Sequence, residues 1–271
     1  VSTKQPLPPF EMTQNGKNIE IKLRRVPLSF ADVWEAAESE DENGNKTGRF
    51  SVSTSVLLAK DTERGKAQIG AVREAMKMAR TAEWGDDAPV IGADRLALQD
   101  GEPIDPNTAD PDVPGSGERK ARWDGYAGMM YVSAKRYLKA KNAEDAAKEL
   151  REKHPVQILG PRKTAVVDGK PAFPILKESD DLIYSGAVCD VIIQIYPYNG
   201  TGKGSNGKNL PHRINASLEA IKFVEHGTRL GGGKRIDAQS AFDEEDEDDY
   251  DTDSESEASP STGAVIDDPL G

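Results

Sequence analysis

The sequence predicts a mainly β protein: a β-barrel core with helical insertions, followed by a disordered acidic C-terminal tail. Three observations carry this. Short strand-like segments recur between Gly- and Pro-rich turns. A single long segment switches to helical period. Charge is split unevenly along the chain: its 271 residues carry a net charge of −12, but Asp237–Gly271 holds 14 acidic residues and no Lys or Arg. The rest therefore has 33 acidic against 35 basic residues, a net charge of +2. A near-neutral body joined to a polyanion is the dominant feature of the composition.

Taken in order, "VSTKQPLPPFEM" is Pro-rich, and residues 1–16 are expected to be poorly ordered. "NIEIKLRRVPLSF" alternates and reads as a strand. "SFADVWEAAESEDENGNKTG" reads as a short helix started by Ser29 and then a polar loop. In "RFSVSTSVLLAK", Phe50, Val52, Val56 and Leu58 share one face and Arg49, Ser51, Ser53 and Ser55 the other, the pattern of a half-buried strand. From Thr62 to about Trp84, Ile69, Val72, Met76 and Ala79 recur at helical spacing. Lys66, Arg73, Lys77 and Arg80 form a basic stripe beside them, suited either to keep the helix soluble or to follow a phosphate backbone.

Residues 85–122 read as a long loop. "YAGMMYVSAKRY" returns to a strand, and "NAEDAAKELREKH" is a short helix. "PVQILGPRK" and "TAVVDGKPAF" read as short strands joined by a turn. "LIYSGAVCDVIIQIYPY" and "RINASLEAIKFVEHG" are the last ordered elements. Beyond "LGGGKR", the run "FDEEDEDDYDTDSESEASPSTG" is too charged and too poor in apolar residues to fold. The resulting division is a folded domain over 17–236 and a disordered tail over 237–271.

No segment approaches the apolar run of a membrane span, and no leader of the secretory kind stands at the start. One cysteine, Cys189, lies in an apolar run; it cannot form an internal disulfide, and the chain reads as intracellular. His154, His212 and His226 show neither metal-ligand spacing nor a pattern with Cys189. No enzyme constellation, metal site or cofactor is expected.

"NGTGKGSNGKN", with Gly202-x-x-x-x-Gly207-Lys208, comes close to a phosphate-binding loop. Asn209 stands where the magnesium-binding Ser or Thr belongs, Leu210-Pro211 follows at once, and "RINASLEAIKFV" reads as a strand. A phosphate loop needs a helix there. What remains is a loop carrying Lys203 and Lys208, with Tyr196 and Tyr198 before it and Arg213 after it. It is either a solubilised turn or a basic finger beside aromatic rings. A second stretch, "RKARWDGYAGMMYVSAKRYLKAK", interleaves Tyr126, Tyr131 and Tyr137 with Lys135 and Arg136, and Tyr131, Ser133, Lys135 and Tyr137 would share one strand face. Such rings are core or platform. Bases stacking on aromatics while cations track the backbone is how single strands are bound without sequence preference. The acidic run Asp243, Glu244, Glu245, Asp246, Glu247, Asp248 and Asp249 would then be a tethered competitor for a basic groove. Alternatively, the chain is a protein–protein adaptor whose acidic tail mimics DNA.

Together "GRFSVSTSVLLAKDTERGKAQIGAVREAM", "YAGMMYVSAKR", "LIYSGAVCDVIIQIYPYNGTGKG" and "SLEAIKFVEHGTRLGGG" resemble a family of bacteriophage single-stranded DNA-binding proteins, similar in plan to the replication-coating proteins of coliphages. The resemblance spans roughly Gly48 to Gly233. It implies an OB-fold barrel that coats single-stranded DNA in replication and recombination in the cytoplasm of the infected host. It also implies an acidic tail that regulates binding and recruits phage or host replication proteins. DNA contacts are implied around Tyr126, Tyr131 and Lys135, with Arg136 beside them, and near Tyr196, Tyr198, Lys203 and Lys208, with Arg213 following. Arg49 is added from strand geometry. Assembly as a homodimer or as a cooperative filament on DNA stays open. The chain departs from the pattern in an insertion near Ala31–Thr47 and in a tail ending "DDPLG", without a terminal aromatic.

Overall fold

The computed structural model describes residues 7–40, 44–102, 125–200 and 210–230. The acidic tail, the Gly202–Lys208 loop and most of the 85–122 stretch lie outside the described residues.

Strand β1 (Phe10–Asn15) turns through Gly16 and Lys17 into β2 (Asn18–Glu40), its antiparallel partner. The segment 1–16 is thus not uniformly poorly ordered: Phe10 and Met12 pack on the core, while residues 1–6 lie outside the described set. Alternation drives β2, with Ile19, Ile21 and Leu23 fully buried. Each such side chain contributes roughly 1.5–3 kcal/mol by leaving water. The strand bends where Arg25 and Phe30 adopt φ of 53° and 46°. Register shifts against β9 and β3 fall at the same places.

No helix follows Ser29. The strand continues through "ADVWEAAESE", pairing Ala37 with Ser51 and Glu38 with Phe50 of β3 (Lys46–Ala59). Ser29 is buried, and its carbonyl accepts the Thr54 hydroxyl at 3.2 Å. The composition favours helix, but the open edge of β3 supplies cross-strand partners that outweigh that weak preference. β3 itself is buried on both faces from Ser51 to Leu58 apart from half-buried Ser53, rather than on one.

Helix α1 (Glu63–Trp84) is the long helix the spacing predicts. The Thr62 hydroxyl caps it by accepting from the Gly65 amide at 3.0 Å, and Ile69, Val72, Met76 and Ala79 face the core. Gly85, at φ 61°, ends it by donating to the Thr81 carbonyl. Then follow β4 (Leu98–Asp100), β5 (Met129–Tyr137) and α2 (Ala143–Glu152), which is capped by Asn142. β6 is Gln157–Leu159. β7 (Ala165–Val167) and β8 (Lys170–Ala172) form a separate hairpin about Asp168-Gly169, both with positive φ. The expected turn between "PVQILG" and "TAVVDG" pairs nothing across itself: β6 joins β10 in parallel, and "TAVVDGKPAF" folds back on itself. β9 (Val188–Tyr198) and β10 (Arg213–Glu225) complete the set.

Five strands close a barrel in the order β2-β3-β5-β10-β9 and back to β2, with β5 and β10 joined in parallel through Ala134–Ala216 and Lys135–Ser217. In chain order this is first, second, third, fifth, fourth. It is the Greek-key closure of the OB-fold. Cys189 is fully buried in β9, and burial pushes its thiol up to about 12, the behaviour of a small packed hydrophobe.

Candidate nucleic-acid interface

In an OB-fold, the outer face of the second and third strands and the loop between the fourth and fifth border the binding groove. Here those are β3, β5 and the β9–β10 connection. Along β5, period-two geometry turns Tyr131, Ser133, Lys135 and Tyr137 to one side while Val132 and Ala134 are buried. Arg49 of β3 flanks them. Across the parallel seam, β9 and β10 present Tyr196 and Tyr198 opposite Asn215 and Arg213.

These residues line one groove of about 800 Å³. It gathers six of the residues read from the sequence: Arg49, Tyr131, Lys135, Tyr196, Tyr198 and Arg213. It also contains Tyr137, Arg95, Gln99 and Asn215, which the reading did not assign as contacts. Tyr137 is half exposed, at 50%, and is the most open aromatic ring of the groove. Its place on the Tyr131–Lys135 face was legible from alternation alone. Arg95 lies in a 3-10 turn (Ala93–Arg95) within the stretch expected to be loop, and no spacing pointed to it.

Electrostatics separate the cations. Among the described residues, Arg49, Lys135 and Arg213 have no acidic partner within ion-pair distance, whereas Arg95 meets Asp94 at 3.4 Å. Uncompensated cations beside rings form an anion-attracting surface. Two of the phenols are pushed up by burial. Burial raises that of Tyr131 to about 12, with neighbouring Tyr126 and Asp100 adding to the shift. Burial and the nearby Tyr137 raise Tyr196 against a hydrogen bond with Asn215. A neutral ring keeps its stacking face at no cost in repulsion from phosphate.

Other residues from the reading are placed elsewhere. Tyr126 is not a groove residue: it is fully buried beside Leu57 and Leu230, edge-on to Tyr131 at 5.3 Å. The Gly125–Tyr126 turn puts the ring behind the strand, where it supports Tyr131. Arg136, on the alternate face of β5, does not line the groove. Its Nη1 donates to both carboxylate oxygens of Glu219, at 2.7 and 2.9 Å, and to Ser217 Oγ at 3.3 Å. It fastens the β5–β10 seam. Arg136→Ala is therefore expected to cost about 1 kcal/mol of stability, the magnitude of a part-exposed charged pair. Binding of an oligonucleotide should change less than about twofold; thermal melting and anisotropy check both.

Of the α1 stripe, Lys66 pairs with Glu63 and Arg80 donates to the Ala88 and Pro89 carbonyls. Ser51 and Ser55 are buried in the sheet, so Arg49 alone of that polar face lines the groove. Lys203, Lys208 and Asp243–Asp249 lie outside the described residues. The element after the loop, from Arg213, is the strand β10 and not a helix, which removes the geometry a phosphate loop requires. No group of His, Cys, Asp and Glu is placed to hold a metal ion among the described residues, and none of their helices is long and apolar enough to cross a membrane.

A family model described as the single-stranded DNA-binding protein of Enterobacter phage Enc34 matches residues 19–252. The chain belongs to this family. Among solved structures, it is similar to the single-stranded DNA-binding protein from bacteriophage Enc34 in complex with ssDNA: 17% identity over 84% of this chain and 100% of that one, TM-score 0.47. It is also similar to gp2.5, a single-stranded DNA-binding protein encoded by bacteriophage T7: 14% identity over 89% of this chain and 100% of that one, TM-score 0.37. No curated protein matches it. The family match runs past the barrel into the start of the acidic stretch.

Proposed function

We propose that this chain is a non-enzymatic, sequence-independent single-stranded DNA-binding protein that coats single strands during phage replication and recombination in the host cytoplasm. The observation that carries the proposal is the groove. Arg49, Lys135 and Arg213, which have no acidic partner among the described residues, line it beside Tyr131, Tyr137, Tyr196 and Tyr198 on the binding face of an OB-fold. Phosphates track the cations, and bases of any identity lie on the half-exposed Tyr137 and the half-buried Tyr196 and Tyr198, while Tyr131 is buried. Lys203 and Lys208, which lie between β9 and β10 in the sequence, add two further positive charges to that connection. Membership of the phage family supports the same ligand.

The acidic tail competes with DNA for the groove and, once displaced, is available to basic surfaces of phage or host replication proteins. The test is anisotropy of a labelled oligo-dT with the full chain and with a chain truncated after Arg235, at low and moderate salt. Truncation is expected to tighten binding at least several-fold, because a tethered competitor acts at an effective concentration on the order of millimolar. Added salt should weaken binding of both. If neither chain binds, the single-strand reading fails and the tail's basic partner becomes the question.

A further inference from the structure

At one end of the groove the β9–β10 ladder stops at a single register pair, Tyr198 with Arg213. Both line the groove, and a terminal pair is where a ladder opens most readily. Yet the residues just beyond it are tied to α1. Asn199 Nδ2 donates to one carboxylate oxygen of Glu83, whose other oxygen lies 3.0 Å from Lys17 Nζ in the β1–β2 turn. The His212 ring meets Trp84 edge-on, with centroids 5.5 Å apart and planes at 82°. Consecutive residues of the last helical turn thus hold one strand each. Gly85 ends the helix immediately after Trp84. Beyond the tie, the chain segments flanking the two strands approach backbone to backbone: a Cβ on Gly200 would stand 2.1 Å from the Leu210 carbonyl oxygen. Lys17 and Asn199 also hold the Glu83 carboxyl below its ordinary range, so the tie is made by a carboxylate.

Neither Glu83 nor Trp84 lines the groove. We propose that they are positioning residues for single-strand binding, fixing the Tyr198–Arg213 end through Asn199 and His212 without touching DNA. This rests on the single-strand reading above. A phosphate meeting a pre-set Arg213 orders less of the protein on binding, and the helix supplies that order beforehand.

The test measures oligo-dT binding by the full chain carrying Trp84→Ala, Trp84→Phe, Asn199→Ala, Arg213→Ala, and Trp84→Ala combined with Arg213→Ala. Trp84→Ala should weaken binding roughly twofold to tenfold. Its log–log salt slope should fall by up to about 0.7, the value of one phosphate contact. Trp84→Phe keeps a ring edge on His212 and should restore most of the loss. Asn199→Ala, at an exposed position that does not threaten folding, should show the same direction. In the Arg213→Ala background, Trp84→Ala should add little, because its action runs through Arg213. Full additivity of the two changes, or a lowered melting temperature with binding unchanged in both Trp84→Ala and Asn199→Ala, overturns the inference while leaving the single-strand reading intact. A wild-type chain that does not bind oligo-dT overturns both.

Discussion

Replacing Arg49, Lys135 and Arg213 together by alanine is expected to flatten the log–log salt dependence of oligo-dT binding by about 2, since each phosphate contact on a single strand contributes about −0.7 to the slope. Affinity at moderate salt should fall roughly tenfold to a hundredfold, at about 0.5–1 kcal/mol per exposed charge contact. All three side chains are exposed and line the groove, and none has a carboxylate at ion-pair distance among the described residues. Their charge is therefore available to displace counterions from DNA. Arg95 lines the same groove but is met by Asp94, and Arg136 is met by Glu219. A control variant, Arg136→Ala, should keep the wild-type slope. Melting temperatures should separate the two sets in the opposite sense, because among the described residues the groove cations make no ion pair or side-chain hydrogen bond to lose. An unchanged slope in the triple variant would place the DNA path elsewhere.

What the sequence discloses of this fold depends on whether neighbouring residues suffice to decide an element. α1 was legible to its ends because Thr62, its apolar spacing and Gly85 are all local signals. The same holds for β5, β9 and β10, whose alternation is strong. The second half of β2 was not legible. "ADVWEAAESE" carries helix-favouring residues, and its strand state is decided by β3, a partner separate in sequence. Barrel closure was hidden for a similar reason: the parallel β5–β10 seam joins residues about eighty positions apart, Ala134 and Ala216. The candidate site divides in the same way. Alternation along β5 and the aromatic-basic pairing at β9 located six groove residues, since a strand face follows from period two. That Arg136 does not line the groove was not legible, because charge shows in a sequence but its partner does not; Glu219 lies on another strand. Arg95 sits in a 3-10 turn with no periodicity to read. The position of Trp84 as a contact of His212 required knowing that α1 ends where β10 begins.

Tyr126 and Tyr137 are eleven positions apart, and removing their rings should have opposite consequences. Tyr126→Ala is expected to destabilise the protein by about 3–5 kcal/mol, the cost of deleting a fully buried aromatic whose surroundings relax only in part. Its exposure is 0%, and Leu57, Tyr131 and Leu230 pack around it. Burial pushes its phenol up, and Tyr126→Phe, which keeps the packed ring, should cost far less than Tyr126→Ala. A loss of the alanine size is a large share of a domain's whole stability, and denaturant titration will read it directly. Tyr137 is 50% exposed and packs no core cluster. Tyr137→Ala should leave the denaturation midpoint within error. It should weaken oligo-dT binding by about 1–3 kcal/mol, roughly tenfold or more, if a base rests on the ring. Tyr137→Phe keeps the stacking face and should retain most of the affinity. The pair thereby distinguishes a groove in which aromatic faces meet bases from one in which charge alone holds the strand. In the second case Tyr137→Ala would bind as the wild type does, and the salt slope would account for the whole affinity.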